Sequence, residues 1–336
     1  MVHEALVPPT DAADAAEADI EACRTEYHVL FFLRKLGHDV RVVGVGDRLT
    51  ELREAINDWR PHVVFNLLEE FSGIVTYDHY VVAYLELVRQ PYTGCNPRGM
   101  MISRDKVLTK QVLASHRIPT PRFQLFPVRE RFREPRRLTF PLFVKSATDD
   151  ASLGIAQASV VEDMAHLRER VEFIHQQLGS DALAEEYVDG REIYVGVLGN
   201  DRLVALPPWE LDFGTLPQAQ AGIATRRVKW DPQYQRRHGI STGPAQDLAP
   251  GQAERIARLA KRIYRALHMS GYARMDLRMR ADGGLFVLEA NANPNLTYGE
   301  DFAESAEAGG IGYEALLTRI VNLGLAYQPE WRLFES

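Results

Sequence analysis

Apolar positions along this chain change their spacing several times, and each spacing names an element. "EYHVLFFLRKLG" repeats apolar residues at helical intervals and stops at Gly37, a glycine suited to the left-handed position that ends a helix. "DVRVVGV" and "PHVVFNLL" are short β-branched runs of the kind found in buried parallel strands. With the helical pattern "LTELREAINDW" between them, they predict a βαβ crossover. A sheet of this kind normally has a strand ahead of its first helix, and only Met1 to Leu6 could supply it, so that strand is either very short or residues are missing upstream. "DHYVVAYLELVRQ" reads as a helix with Asp78 at its N-cap, and "PYTG" leads out of the first unit. "SRDKVLTKQVLASHRI" reads as a second helix capped by Ser103, and two prolines make "PTPRFQLFP" an extended linker.

The pattern then predicts the strand "FPLFVKS", a loop "ATDDASLG", the strand "IAQASVV" and the helix "MAHLRERVEFIHQQLG". "ALAEEYVDGREIYVGVLGNDRLVAL" reads as successive antiparallel strands, with turns at Asp189-Gly190 and Gly199-Asn200-Asp201. Pro207 to Pro250 is long and weakly periodic, and stretches of that length tend to be functional. The helix "GQAERIARLAKRIYRALH", a strand pair in "GYARMDLRMRADGGLFVLEANANPN" and the closing helix "GYEALLTRIVNLGLAY" complete the reading, with no internal repeat.

Composition narrows the class. A chain of 336 residues exceeds a typical single core, so two or three domains are expected. Hydrophobic content of 46% and charged content of 25% are those of a soluble globular protein. No run of about 18 apolar residues is present, which excludes a membrane span at that threshold. The N-terminal residues lack a basic region followed by an apolar stretch, so no secretory signal is expected. Cys23 and Cys95 offer neither a disulfide framework nor metal-ligand spacing, and fit structural roles in a reducing cytoplasm. The net charge of −7 argues against a nonspecific nucleic-acid surface. "RFREPRRL" is a local exception, read as a solvated loop or helix edge because no aromatic platform accompanies it.

The strongest chemical signal is "VLEANANPN", where an apolar run gives way to a carboxylate, amides and a proline. Treating "ARMDLRMRADGGLFVLEANAN" as a hairpin with a two-residue turn at Asp282-Gly283 places Asp276 opposite Glu289 and Arg274 opposite Asn291. Those four residues then share one face, while Met275, Leu277, Leu288 and Ala290 share the other. Two opposed carboxylates repel unless a cation lies between them. Oxygen-only ligands suit a hard ion such as Mg²⁺, and the absence of histidine and cysteine speaks against zinc. The alternative is a surface hairpin whose acids are neutralised by Arg274 and Arg278. Upstream, Lys106 and Lys110 lie one helical turn apart and Lys145 ends an apolar strand, so these cations could meet a triphosphate or could be solvated ends. In "EEYVDGRE" the acids Glu185 and Glu192 suit the amino and hydroxyl groups of a nucleoside, or solvent.

Lys106, Lys145, "EEYVDGRE", "ARMD" and "LEANANP", in this order, resemble the ATP-grasp superfamily. "VVFNLLEE", "PYTG", "RDKVLTKQVLASHRIPTP" and "AGGIGYEALLTRIV" are similar to its D-alanine:D-alanine ligase branch from about residue 27 onward. The resemblance implies three α/β domains, expected at 1–95, 96–184 and 185–336, with ATP between the central and C-terminal ones. It implies nucleotide contacts from Lys106, Lys145, Ser152 and the lid residue Lys229. Glu185 and Val188 would meet the adenine edge, and Glu192 the ribose. Two Mg²⁺ ions, or Mn²⁺, would be held by Asp276, Glu289 and Asn291. Arg274 and Lys229 would be catalytic, Arg274 by stabilising the oxyanion at the carboxyl under attack. A flap, "KSATDDASLG", would close over ATP, and a homodimer through the first domain is also implied.

Departures from the branch fall in the flap over ATP and on the substrate side. Glu69-Glu70 stand where His-Gly is usual, Asp150-Ala151 where Gly-Ser is usual, Asn295 in place of a glycine and Glu300 in place of a serine. His3-Glu4-Ala5 replace a glycine-rich turn. The acids Glu69, Glu70, Glu300 and Asp301 suit an amine-bearing or cationic substrate, or are exposed loop acids. The expectation is a cytoplasmic ATP-dependent carboxylate–amine ligase acting through an acyl phosphate on a small amino-acid-like or peptide substrate. The alternatives are D-alanine:D-alanine ligation itself, a silent Mg-ATP-binding regulatory module, and a kinase of the superfamily.

Overall fold

Helices and very short parallel strands occupy the first third of the chain. The elements there are β1 (Val2–His3), α1 (Glu17–Ala22), α2 (Arg24–Lys35), β2 (Gly44–Val45), α3 (Thr50–Trp59), α4 (Asp78–Leu87), α5 (Pro97–Arg104) and α6 (Lys106–Ser115). This computed structural model describes residues 1–9, 17–148, 157–216, 223, 225, 227, 228, 231–330 and 332. Strands β1 and β2 pair in parallel, Val2 with Gly44, so the strand expected ahead of the first long helix is present and short. "DVRVVGV" contributes only Gly44 and Val45 to regular pairing, and "PHVVFNLL" only a parallel bridge from Val64 to Tyr92. Helix α2 ends as its sequence predicts: Gly37 has φ +85 and its N–H donates to Arg34 O, while His38 N–H donates to Leu33 O.

Both capping expectations are corrected. Asp78 belongs to the first turn of α4, and its nearly fully buried carboxylate accepts from Arg104 Nε and Nη2 at 3.0 and 2.6 Å. A buried ion pair thus claims the side chain that a cap would need. Ser103 lies inside α5, and the true cap is Asp105, whose Oδ1 accepts from the N–H groups of Val107 and Leu108. Its extended backbone, φ −97 and ψ 103, breaks the single expected helix in two.

Next come β3 (Phe123–Phe126), β4 (Leu142–Ser146), β5 (Val160–Val161), α7 (Met164–Phe173) and β6 (Ala182–Glu186). They form a four-stranded antiparallel sheet in the order β3-β6-β4-β5. The supposed linker "PTPRFQLFP" therefore supplies an edge strand, because its prolines flank Phe123–Phe126 and leave the ladder free. This sheet has its own core, in which Leu142, Val144, Ala182 and Ala184 pack on Leu167, Val171 and Ile174.

The rest of the chain supplies β7 (Arg191–Leu198), β8 (Val204–Ala205), β9 (Trp209–Asp212), α8 (Pro232–His238), β10 (Ser241–Pro244), α9 (Gln252–Ala266), β11 (Tyr272–Met279), β12 (Leu285–Ala292), α10 (Asp301–Ala308) and α11 (Tyr313–Ala326). The six-stranded sheet runs β10-β9-β7-β11-β12, with β8 on β7. One face is apolar: Ile193, Val195, Val197, Met275 and Leu277 pack with Ile256, Leu259 and Ile263 of α9. Each such side chain contributes about 1.5–3 kcal/mol on burial. The alternate residues, Glu192, Tyr194, Arg274, Asp276 and Arg278, form the opposite face.

Asp189-Gly190 does not close a hairpin, because β6 and β7 belong to different sheets and residues 187–190 carry the chain between them. Gly190, at φ +139, lies against the Met279 carbonyl where a Cβ would collide with backbone. Gly190→Ala is expected to lower unfolding free energy by about 2–4 kcal/mol in urea denaturation, since neither the dihedral nor the contact can relax cheaply.

Candidate active site

The hairpin β11–β12 reaches the expected register by an unexpected route. Its loop has three residues, Ala281, Asp282 and Gly283, with Arg280 N–H donating to Gly284 O and Gly283 at φ +77. That loop alone would shift β12 by one residue and turn Glu289 to the apolar face. A bulge between Asp276 and Leu277 restores the pairing: Leu277 faces Val287, Asp276 faces Glu289, and Arg274 faces Asn291. Leu288 is the extra residue, so Val287 rather than Leu288 fills the core.

Around the two acids the charges are arranged with care. Arg274 grips Asp276 with two bonds of 2.8 and 2.9 Å, and its guanidinium lies 4.6 Å from the Tyr194 ring centre. Burial alone would lower the Arg274 pKa, but Asp276 holds it above the ordinary range. Lys106, at the start of α6 and buried, places Nζ 3.6 Å from Glu289 Oε1, across from the central sheet. The alternative reading is met in part: Arg274 does pair with Asp276, whereas Arg278 pairs with Glu192 at 2.9 Å, and Glu192 also accepts from Tyr194 OH.

These residues fit a hard divalent cation. Among the described residues no cluster of three or more His, Cys, Asp or Glu side chains is arranged to hold a metal. Two carboxylates and an amide match an ion that keeps water and phosphate oxygens in its shell. Asn291 supports the same fit: its buried Nδ2 has no hydrogen-bond partner, and turning the amide over puts a ligand-competent oxygen in that place.

The central sheet contributes a second charged cluster. Glu185 on β6 is buried, with Lys145 Nζ 2.7 Å from Oε1 and Lys110 Nζ 2.5 Å from Oε2. Burial pushes the Glu185 carboxyl up, yet the two lysines hold it below its usual range. Burial likewise opposes the Lys145 charge, and Glu185 with Glu289 raises it above its ordinary value. Val188 lies half-buried in the connection between the sheets. Ser152, Lys229 and residues 149–154 of the flap lie outside the described residues.

Around Asn295 and Glu300, expected from sequence to face substrate, the structure joins residues that sequence spacing could not connect. Glu300 is ion-paired with Arg24 of α2, and Asn295 Oδ1 accepts from Thr25 Oγ1 at 3.1 Å and from Thr297 N–H at 2.7 Å. Glu70 lies 3.3 Å from His3, and Glu69 is exposed. Glu26 of α2 is buried, and burial, reinforced by the negative charge of Glu69, pushes its carboxyl up to about 7. A raised folded-state pKa means that the folded protein binds this proton more tightly than the unfolded chain, so stability falls as pH rises from about 4.5 to about 7. Glu26→Gln should remove that decline and raise stability at pH 8 by on the order of 1–2 kcal/mol, measured as melting temperature against pH.

Cys23 and Cys95 are buried and unlinked, as expected of structural cysteines, and burial pushes the Cys95 thiol up to about 12. No helix among the described residues is long and apolar enough to cross a membrane.

Comparison with known proteins agrees with this architecture. The family model described as D-ala D-ala ligase C-terminus matches residues 112–322. The D-alanine–D-alanine ligase of Nitratidesulfovibrio vulgaris (strain DP4) is 30% identical over 298 residues, 87% of this chain and 89% of that one. An uncharacterized protein, y4sG, of Sinorhizobium fredii is 33% identical over 266 residues, 78% of this chain and 74% of its own. The crystal structure of D-alanine–D-alanine ligase from Bacillus anthracis complexed with ATP superposes with a TM-score of 0.72 at 22% identity, covering 96% of this chain and 97% of that chain. With the ATP-grasp fold in place and the matched family spanning most of its length, this chain belongs to the D-alanine–D-alanine ligase family of ATP-grasp ligases, enzymes that form carbon–nitrogen bonds at the expense of ATP.

Proposed function

We propose that the protein joins a carboxylate to an amine through an acyl phosphate, with Mg-ATP on the face built by β7, β11 and β12 and with substrate pockets that differ from those for D-alanine. The observation that carries this reading is the opposed pair Asp276 and Glu289, flanked by Arg274 and Asn291 and approached by Lys106. In this reading Asp276, Glu289 and Asn291 hold Mg²⁺. When bound, the metal neutralises charge on the transferring phosphoryl group. Lys106 and Lys145, with Ser152 and Lys229, bind the nucleotide and its phosphates. Glu185 and Val188 meet adenine, and Glu192 meets ribose hydroxyls.

Chemistry proceeds in two balanced steps. A carboxylate oxygen of the first substrate bonds to the γ-phosphorus as the bond to ADP breaks. The amine nitrogen of the second substrate then bonds to the acyl carbon, phosphate leaves, and the nitrogen gives up a proton. Arg274, held above its ordinary pKa, stays cationic throughout and stabilises the oxyanion that develops at the acyl carbon.

The altered substrate side supports acids other than D-alanine. Glu69 replaces the expected histidine, and Glu300 and Asn295 are engaged by Arg24 and Thr25 of α2. ADP release measured with pools of amino acids and short peptides, D-alanine included, tests the proposal. Stimulation by an acid and an amine other than D-alanine supports it. Stimulation by D-alanine alone, with D-alanyl-D-alanine as product, returns the protein to the activity of its relatives. Tight Mg-ATP binding without stimulation by any pair contradicts the ligase reading for this chain.

A further inference from the structure

Glu185 carries one more cation than the proposed nucleotide site uses. Lys145 is on β4, while Lys110 is on α6, 2% exposed and 5.6 Å from the Phe123 ring centre. The Lys110 ammonium also donates to Thr120 Oγ1 at 2.8 Å. Thr120 in turn donates to Val287 O at 3.0 Å, and Val287 N–H donates to Pro119 O at 2.9 Å. Val287 adjoins the β-bulge and lies two residues from Glu289. A partly buried chain of polar contacts therefore runs from Glu185 to the strand proposed to hold metal.

The charges explain why two lysines are needed. A buried carboxylate left without a counter-ion is strongly disfavoured. If Lys145 turns to the phosphates of a bound nucleotide, Glu185 stays ionised only when another cation remains beside it. Lys110 suits that task, because its ammonium is enclosed by Glu185, Thr120 and Phe123. Burial lowers the Lys110 pKa and Glu185 opposes that shift, so each group supports the charge of the other.

We propose that Lys110 is a positioning residue for nucleotide recognition: it is the fixed counter-ion that keeps Glu185 ionised and oriented while Lys145 is released to the phosphates, and Thr120 ties it to β12. The inference rests on the assignment of Glu185 to adenine proposed above. A fixed carboxylate accepts a hydrogen bond from an exocyclic amino group and repels a carbonyl oxygen, so the arrangement selects a 6-aminopurine over a 6-oxopurine.

Calorimetric binding of Mg-ATP and Mg-ITP to the full-length protein, to Lys110→Met, to Glu185→Gln and to the double variant tests this. Lys110→Met should weaken ATP binding by about tenfold or more and narrow the preference for ATP over ITP, whereas in the Glu185→Gln background the same substitution should change ATP affinity less than about threefold. Equal losses in both backgrounds would make Lys110 merely structural and overturn the inference. An unchanged ATP-to-ITP ratio in Glu185→Gln alone would instead remove its premise, the adenine assignment. If Lys110→Met does not fold, the Thr120 pair carries the test: Thr120→Val should weaken ATP binding several-fold while Thr120→Ser retains it, and identical behaviour of the two contradicts the proposal.

Discussion

Glu289→Gln is expected to reduce magnesium-dependent ADP formation at least about 100-fold, more than the 10- to 100-fold typical of losing a residue that only supports a metal ligand. The substitution keeps the side chain's shape and removes its charge, so the proposed metal site loses one of its two carboxylates. Folding should be little affected, by less than about 1 kcal/mol. Glu289 is 24% exposed at the sheet edge, and removing its charge relieves repulsion with Asp276 opposite. Lys106 loses an interaction at 3.6 Å, too long to be a strong hydrogen bond. The measurement pairs steady-state ADP release across a magnesium titration with thermal unfolding. Near-normal turnover at every magnesium concentration would show that this acid holds no essential ion.

Arg274→Ala should be the next most damaging change, lowering turnover by about 10²–10³ if, as proposed, its charge stabilises the developing oxyanion. It should also destabilise the fold by on the order of 3 kcal/mol, because the Asp276 carboxylate, 4% exposed, is left without its two-pronged partner. Arg274→Lys separates the effects. Lysine restores a positive charge but neither the paired bonds to Asp276 nor the stacking on Tyr194, so stability should recover more than activity. Single-turnover kinetics alongside urea denaturation reads both quantities. Arg274→Ala with the turnover of the parent protein would remove this residue from the chemistry.

What the sequence made legible follows the range of the forces involved. Helix α2 and its glycine stop were readable because apolar spacing and a left-handed terminus are local properties. The single helix expected across residues 103–118 divides at Asp105, where a side chain accepting two backbone N–H groups outweighs a continuing apolar pattern. The hairpin shows how a local error can cancel. Asp282-Gly283 suggested a two-residue turn, the chain uses three residues, and the bulge at Leu288 returns Asp276 and Glu289 to one face. Turn chemistry favoured the shorter loop, whereas the burial of Val287 and Ala290 fixes the final register.

Long-range partners were the least accessible. Lys110 was visible as a basic residue one turn after Lys106, but its pairing with Glu185 depends on β6 crossing between β3 and β4. Likewise, Glu300 and Asn295 stood out as departures from the family pattern, yet nothing in their spacing indicated Arg24 and Thr25, 276 and 270 residues earlier. Charge type was readable from sequence; the partner that balances each charge required the fold.

In the proposed function, the facing acids of β11 and β12 share divalent metal bound with a nucleotide. Crystals grown with Mn²⁺ and ADP, examined by anomalous diffraction, test it most directly. Manganese peaks are expected within coordination distance of the Asp276, Glu289 and Asn291 side-chain oxygens. Manganese bound elsewhere, or a nucleotide seated with Asp276 still locked to Arg274 and no peak between the acids, would contradict it.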